Sequence, residues 1–351
     1  MKTLRILPHT LKFKFEARTS RGSMTERHVW YIVLEEEGFY GIGEAAPIPG
    51  LSIDDMTKWD AKLRWLEEHI NDDPKKIKTS LKNFPALYFG FEMAMHSLDC
   101  DHPMMLYPSV FTTGRAGIPI NGLVWMNDAA HMQAQIDELL EQGFTVLKMK
   151  VGALDWKEEF KIIKELRKKY DNTEVQLRLD ANGAWQPEEA LEKLNKLSEY
   201  EIHSIEQPIK PGQWEQMAHL CAESPIPIAL DEELIGISDL KQKKDLIKTI
   251  SPDYLIIKPT LLGGFKSSEE WIKLAKENGI DWWVTSALES NIGLNAISQW
   301  VVTQIPRLPQ GLGTGMLYEN NIYSPLEVRK GKLIINTAKS WDVSQFGIEN
   351  H

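Results

Sequence analysis

The feature that most constrains the fold of this 351-residue chain is a repeat of short apolar runs, each ending on a charged residue. Five successive runs end on Lys150, Asp180, Glu206, Asp231 and Lys258, at intervals of 30, 26, 25 and 27 residues. Each interval is about the length of one strand followed by one helix. Because the segments between the runs are amphipathic, the repeat predicts parallel strands that alternate with helices.

Eight strand-like runs between residues 118 and 317 predict a (β/α)₈-type barrel. The runs are INGLVW, TVLKMKV, VQLRLDAN, IHSIEQPI, IPIALDEEL, YLIIKPT, DWWVTSALES and the weaker PQGLGTGML. Helical segments lie between them, at residues 129–142, 156–170, 187–198, 240–250 and 267–278. No glycine-rich dinucleotide fingerprint follows the first run, which disfavours an open doubly wound sheet.

Residues 1–117 have a different pattern, which predicts a small α+β domain. Alternating strand-like runs fill residues 1–50, and helical patterns follow at 57–70 and 85–98. The tail, residues 318–351, returns to alternation in GKLIINT and is expected to pack on this N-terminal domain. The barrel domain is therefore expected to span residues 118–317.

Composition and charge argue against several kinds of partner and cellular location. The net charge of −10 and the absence of a basic stripe argue against a nucleic-acid partner. Two distant cysteines form neither a disulfide framework nor a thiolate metal motif. No apolar stretch approaches the roughly 20 residues that span a bilayer, and the first 25 residues lack the apolar core of a signal peptide. These features predict a cytoplasmic protein without a membrane partner.

Three acidic run ends, Asp180, Glu206 and Asp231, predict a metal site. Strands of a barrel end at one rim, so these carboxylates are expected to converge there and repel one another. A hard divalent cation relieves such repulsion, and oxygen ligands favour Mg²⁺, with Mn²⁺ as an alternative. Two simpler interpretations stay open: each acid caps the following helix, or pairs with a lysine.

Lysines accompany the acids. Lys148 and Lys150 are two residues apart in one strand, so their side chains share the barrel interior, whereas Met149 and Val151 face the other way. Two neighbouring ammonium groups lower each other's pKa, which makes a lysine usable as a general base. Lys258 is expected to approach from the opposite wall. Charge balance with the acids is the alternative reading of these lysines.

The motifs that carry these residues resemble the enolase superfamily, in its muconate-lactonizing subgroup. They are KMK (148–150), LRLDANGAW (177–185), SIEQPI (204–209), ALDEEL (229–234), IIKPTLLGG (256–264) and SALESNIGL (286–294). TSRGS (19–23) and GIGEAAPIPGLS (41–52) are similar to the two capping loops of that family. The resemblance implies an α/β fold: a modified TIM barrel, (β/α)₇β, with an N-terminal α+β capping domain completed by the C-terminal tail. It also implies Mg²⁺ held by Asp180, Glu206 and Asp231, Lys150 and Lys258 as an acid/base pair, and Lys148 tuning Lys150.

Within the subgroup, o-succinylbenzoate synthases, N-acylamino acid racemases and dipeptide epimerases share the two lysines. The seventh run lacks the Asp-x-Asp typical of the epimerases and resembles the synthases, in which small hydroxyl and amide donors meet a succinyl carboxylate. The implied substrate-binding residues are Thr285, Ser286, Glu289, Gly313, Thr314 and, in a capping loop, Arg21.

For a synthase the implied reaction is a syn dehydration of a cyclohexadiene carboxylate through an enediolate, in menaquinone synthesis. The implied partner is a small-molecule carboxylate. A homo-oligomer is left open by the sequence. Racemase or epimerase activity remains the alternative, and a non-catalytic metal-binding barrel is the alternative from a different class.

Overall fold

The structure, a computed structural model, describes residues 1–19, 22–152 and 154–348. Its centre is a parallel sheet in which successive strands are neighbours along the sheet, in the order of the sequence. Apolar side chains dominate the face of these strands that the helices cover, whereas the inner face also carries buried charged residues such as Lys148, Arg178 and Glu206. The strands are β5 (Gly122–Val124), β6 (Val146–Lys150), β7 (Gln176–Asp180), β8 (Ser204–Glu206), β9 (Ile228–Leu230), β10 (Tyr254–Ile257) and β11 (Asp281–Val284).

The barrel closes through the eighth run, which forms bridges rather than an extended strand. Gly311 pairs in parallel with Thr285 beyond β11, and Gln310 pairs with Ile120 ahead of β5. The Gly311 N–H donates to the carbonyl of Val284, and the Gln310 N–H to that of Pro119. The two ends of the sheet are thereby joined, which confirms the modified barrel.

Helices separate the strands and cover the barrel. Several begin at an aspartate whose side chain accepts a hydrogen bond from the first turn, as Asp128, Asp155 and Asp239 do. Among the described helices, none is both long and apolar enough to cross a membrane. Those that follow β5 are α4 (Ala129–Glu141), α5 (Trp156–Lys169), α6 (Pro187–Leu197), α7 (Trp214–Glu223), α8 (Leu240–Ile250), α9 (Pro259–Leu262), α10 (Phe265–Glu277) and α11 (Asn291–Thr303).

The N-terminal region is an antiparallel sheet with helices packed on it. Its strands are β1 (Thr3–Thr19), β2 (Gly22–Glu36) and β3 (Phe39–Ala45), followed by α1 (Trp59–Glu68), α2 (Pro74–Ser80) and α3 (Pro85–Leu98). Gly41 and Gly43 allow α3 to lie directly on β3. A Cβ at Gly41 would stand 2.1 Å from the Ala94 carbonyl oxygen, so no larger residue fits there.

The C-terminal tail contacts both parts of the molecule. Strands β12 (Leu326–Arg329) and β13 (Lys332–Ile335) form a hairpin that pairs with β4 (Ile118–Pro119) at the start of the barrel. Farther along, the Phe346 ring packs edge-on against Tyr31 of β2, and its carbonyl accepts from Arg5. The tail thus reaches the N-terminal sheet, while its hairpin belongs to the barrel side. The predicted domain boundaries stay predictions.

Candidate active site

The charged residues at the strand ends lie side by side. Lys150 of β6 is in register with Asp180 of β7, and Asp180 with Glu206 of β8. Asp231 directly follows β9, and Lys258 directly follows β10. All five are buried. The strand register therefore brings together groups that are up to 108 residues apart in sequence.

Ion pairs connect the acids and the lysines. The Lys148 ammonium lies 2.8 Å from Asp180 Oδ2 and 2.7 Å from Glu206 Oε1. Lys150 Nζ lies 2.7 Å from Asp180 Oδ2, and Lys258 pairs with Asp231 Oδ2. Asp180 thus lies between both lysines of β6. The lysine pairing that the sequence left open as an alternative is present, alongside the convergence at one rim.

The two lysines of β6 have opposite pKa shifts. Burial lowers the pKa of Lys150, as does the positive charge of Lys148, while Asp180 opposes the shift. Burial also acts on Lys148, but attraction by Asp180, Glu206 and Asp231 outweighs it and raises its pKa. The net shift of Lys148 is therefore upward, because that ammonium contacts two carboxylates.

The acids have the chemistry of a site for a hard divalent cation. Burial, followed by repulsion from Asp180, raises the pKa of Glu206 well above its ordinary value. The carboxyl groups of Glu206 and Asp231 also lie within hydrogen-bond reach of each other. Repulsion among buried carboxylates is what a bound divalent cation relieves. The oxygens as placed face the lysines, and among the described residues no three His, Cys, Asp or Glu side chains form a closed metal cluster.

A cavity of about 990 Å³ opens over this cluster. Lys148 and Lys150 of β6 line it, and so does Lys258, which follows β10, a strand separated from β6 by three others. Two segments of the N-terminal region complete the enclosure: residues 15–24, in their described part, and residues 48–51. The loops that the sequence offered as capping loops therefore border the same space as the barrel rim.

The predicted substrate-binding residues differ in placement. Thr285, Ser286, Gly313 and Thr314 line the cavity. Glu289 does not: it is fully buried behind the wall, where it accepts hydrogen bonds from Thr260, Ser286 and the Ala287 N–H. The reason is the tight turn at Leu288 (φ 64°), after which the chain enters α11. Arg21 lies outside the described residues.

Sequence reasoning missed several polar side chains around the cluster. The Asn182 side chain accepts from Lys150 at 2.7 Å and donates to Glu232 at 3.0 Å. Gln207 supports the next loop by accepting from the N–H groups of Asp231 and Glu233, each at 3.2 Å. Asn182 and Gln207 both have positive φ, 46° and 39°. Gln207 directly follows Glu206, and Asn182 lies two residues after Asp180; this closeness to the predicted acids was the available signal for both.

Comparison with known proteins agrees with this fold and site. Residues 131–339 match the family described as enolase C-terminal domain-like, and residues 1–98 match the MenC N-terminal domain. The chain therefore belongs to the enolase superfamily.

Individual relatives show which members of the superfamily this chain is similar to. The o-succinylbenzoate synthase of Desulfotalea psychrophila is 42% identical, over 92% of this chain and 96% of that one. The crystal structure of MenC from the same organism superposes with a TM-score of 0.85 at 38% identity, covering 95% and 99% of the two chains. The L-Ala-D/L-Glu epimerase of Bacillus subtilis is more distant, at 26% identity over 87% of this chain and 86% of that one.

Proposed function

We propose that this chain is an o-succinylbenzoate synthase, a dehydratase of the enolase superfamily. The observation that carries the proposal is that Lys150, at the end of β6, and Lys258, directly after β10, line one cavity beside a row of buried carboxylates. The 42% identity to a synthase across nearly the whole chain supports the same substrate class. That substrate is a cyclohexadiene carboxylate bearing a hydroxyl and a succinyl group.

Lys150 acts first as the general base. Burial and the neighbouring Lys148 favour its neutral amine, which is the form that takes a proton. The ring C–H bond next to the carboxylate breaks, its proton moves to Lys150 Nζ, and its electron pair forms the enediolate. The same ammonium then returns the proton to the hydroxyl on that face. The C–O bond breaks, water leaves, and the ring becomes aromatic.

Lys148 and Lys258 remain charged and stabilise the negative charge that develops on the substrate. Attraction by Asp231, against the effect of burial, raises the pKa of Lys258, and Lys148 has a raised pKa for the same kind of reason. Ammonium groups held in place by carboxylates need no reorganisation when the enediolate forms. Lys258, which lines the same cavity, faces the ring as a fixed cation.

Asp180, Glu206 and Asp231 are proposed to hold Mg²⁺, with Mn²⁺ as an alternative. When bound, the ion supplies Lewis acidity toward the substrate carboxylate. The capping residues 48–51 limit access of water to the cavity. A cytoplasmic location remains a prediction from the sequence, which leaves a homo-oligomer open.

The test is turnover by the purified full chain with Mg²⁺. Loss of the cyclohexadiene absorbance and formation of o-succinylbenzoate are expected, and chelation of Mg²⁺ is expected to stop both. In parallel, N-succinylamino acids and dipeptides are incubated in D₂O, and incorporation of deuterium at the α-carbon is measured. Exchange with a dipeptide in the absence of dehydration would replace the synthase by an epimerase. Metal binding without either reaction would favour a non-catalytic barrel.

A further inference from the structure

A chain of buried hydrogen bonds runs from Glu289 to the cavity wall. One carboxylate oxygen of Glu289 accepts from the Ala287 N–H at 2.8 Å and from the Ser286 hydroxyl. Ser286 Oγ in turn contacts Thr314 Oγ1 at 2.7 Å and the Leu288 N–H at 3.1 Å. Glu289 is fully buried, while Ser286 and Thr314 border the cavity.

The donor and acceptor of each hydrogen bond in this series can be assigned in turn, starting from its buried end at Glu289. The Ser286 hydroxyl gives its single hydrogen to the Glu289 oxygen that also accepts from the Ala287 N–H. The Leu288 N–H occupies one acceptor site of Ser286 Oγ. The other acceptor site is left for Thr314, which must therefore donate its hydrogen to Ser286. The hydrogen-bonding capacity of Ser286 is then full, and Thr314 has only its lone pairs left for the cavity.

We propose that Glu289 is a positioning residue that, through Ser286, makes Thr314 a hydrogen-bond acceptor for the substrate. The group opposite Thr314 is then a donor and not a carboxylate. This differs from the sequence-based expectation that the hydroxyls of Ser286 and Thr314 donate to the succinyl carboxylate. Among the residues of this wall, Thr285 keeps a hydroxyl that has no partner within the described part of the chain.

The proposal, which rests on the proposed dehydratase function, identifies the donor. With both carboxylates ionised, the ring hydroxyl is the only O–H of the substrate. Thr314 therefore accepts from the hydroxyl that leaves in the reaction, and this contact turns the lone pairs of the leaving oxygen toward an acid. The product has lost that hydroxyl, so it makes no such bond to Thr314.

A double-mutant cycle tests the proposal. Ser286→Ala, Thr314→Val and the double variant are compared with the wild-type enzyme by KM for the substrate and by Kd for o-succinylbenzoate from calorimetry. Thr314→Val is expected to raise KM about fivefold, the loss of one neutral hydrogen bond, with product Kd within twofold of wild type. Since Ser286 acts only through Thr314, adding Ser286→Ala to Thr314→Val is expected to cause no further change. Thr79→Val, on the exposed face of α2, is the matched surface control.

Additive effects of the two substitutions on KM would overturn the proposal, because Ser286 would then contact the substrate itself. An equal rise in product Kd and in KM would also overturn it, since the ring hydroxyl would not be the donor. Failure of the proposed function is separate: the wild-type enzyme would form no o-succinylbenzoate. The same cycle is then measured by α-deuteration of an N-succinylamino acid, whose amide N–H takes the place of the hydroxyl as donor.

Discussion

Replacement of Lys150 by alanine is the most direct test of the base and acid assigned to this site. Lys150 Nζ is bonded to Asp180 Oδ2 and to Asn182 Oδ1, each at 2.7 Å. Asp180 keeps two other partners in the variant, the Lys148 ammonium at 2.8 Å and the Asn182 N–H at 3.0 Å. The buried carboxylate is therefore not left without a partner, and we expect the variant to fold.

The expected loss of turnover is large because one residue both removes and returns the proton. Positioned acid or base groups contribute about 10²- to 10⁴-fold. The upper end applies to a residue with both tasks, so kcat is expected to fall about 10⁴-fold, which corresponds to about 5.5 kcal/mol. The assay follows the cyclohexadiene absorbance, while calorimetry measures the affinity for Mg²⁺, which is expected to stay within a few-fold of wild type.

The matched control is Lys157→Ala. Lys157 is exposed in the first turn of α5 and does not line the cavity. Its removal takes away the same charge without touching the site, and wild-type turnover is expected. Undiminished turnover by Lys150→Ala, in a protein with a wild-type circular dichroism spectrum, would refute the assignment of Lys150.

Three further predictions concern Lys258, Glu44 and Asp54. Lys258→Ala removes the ammonium group beside Asp231 and is expected to lower kcat about 10²-fold, measured in the same absorbance assay. Glu44→Ala removes the carboxylate that accepts from the Ser290 N–H, the Ser290 hydroxyl and the Gly293 N–H. Loss of roughly 1 kcal/mol for each donor predicts a fall of about 3 kcal/mol in the free energy of unfolding, measured in urea. Burial raises the pKa of Asp54 from 3.8 to about 7. The folded state then binds the proton more tightly than the unfolded state, so stability falls as the pH rises from about 4 to 7, and Asp54→Asn is expected to flatten this slope in urea titrations at several pH values.

Each of these predictions has a result that contradicts it. Wild-type kcat for Lys258→Ala would remove Lys258 from the reaction. Glu67→Ala, an exposed substitution in α1, is the control for Glu44→Ala, and equal stability of the two variants would show that Glu44 does not tie β3 to α11. An unchanged pH slope in Asp54→Asn would assign the titration to another group.

Periodicity located most of the longer helices, but it missed α7 and α11. The bounds of α3 and of α8 match the sequence pattern to the residue. In contrast, α11 has no helical expectation from the sequence, and all of its first eleven residues are buried, including the polar face formed by Asn291, Asn295, Ser298 and Gln299. The eighth strand was expected to be weak, and it is reduced to the bridges at Gln310 and Gly311.

Side chains near the site were predicted as groups, but their individual partners were not. The placement of Glu289 behind the wall depends on the left-handed turn at Leu288, which no pattern in the sequence indicates. The raised pKa of Lys148 depends on contact with both Asp180 and Glu206, carboxylates from two other strands. Electrostatic energy changes steeply over a few ångströms, so strand spacing alone does not give its sign for each lysine.

The sequence by itself determined the repeating strand–helix order and the presence of charged residues at consecutive strand ends. The physical reason is that a strand has a period of two and that parallel strands end at a common rim, so sequence spacing translates directly into position. Only the tertiary structure decided which ammonium faces which carboxylate, which hydroxyls still have a free hydrogen-bonding site, and how residues 48–51 enclose the cavity. Those properties arise from contacts between segments that are distant in sequence, and hydrogen-bond direction and charge depend on every partner within reach.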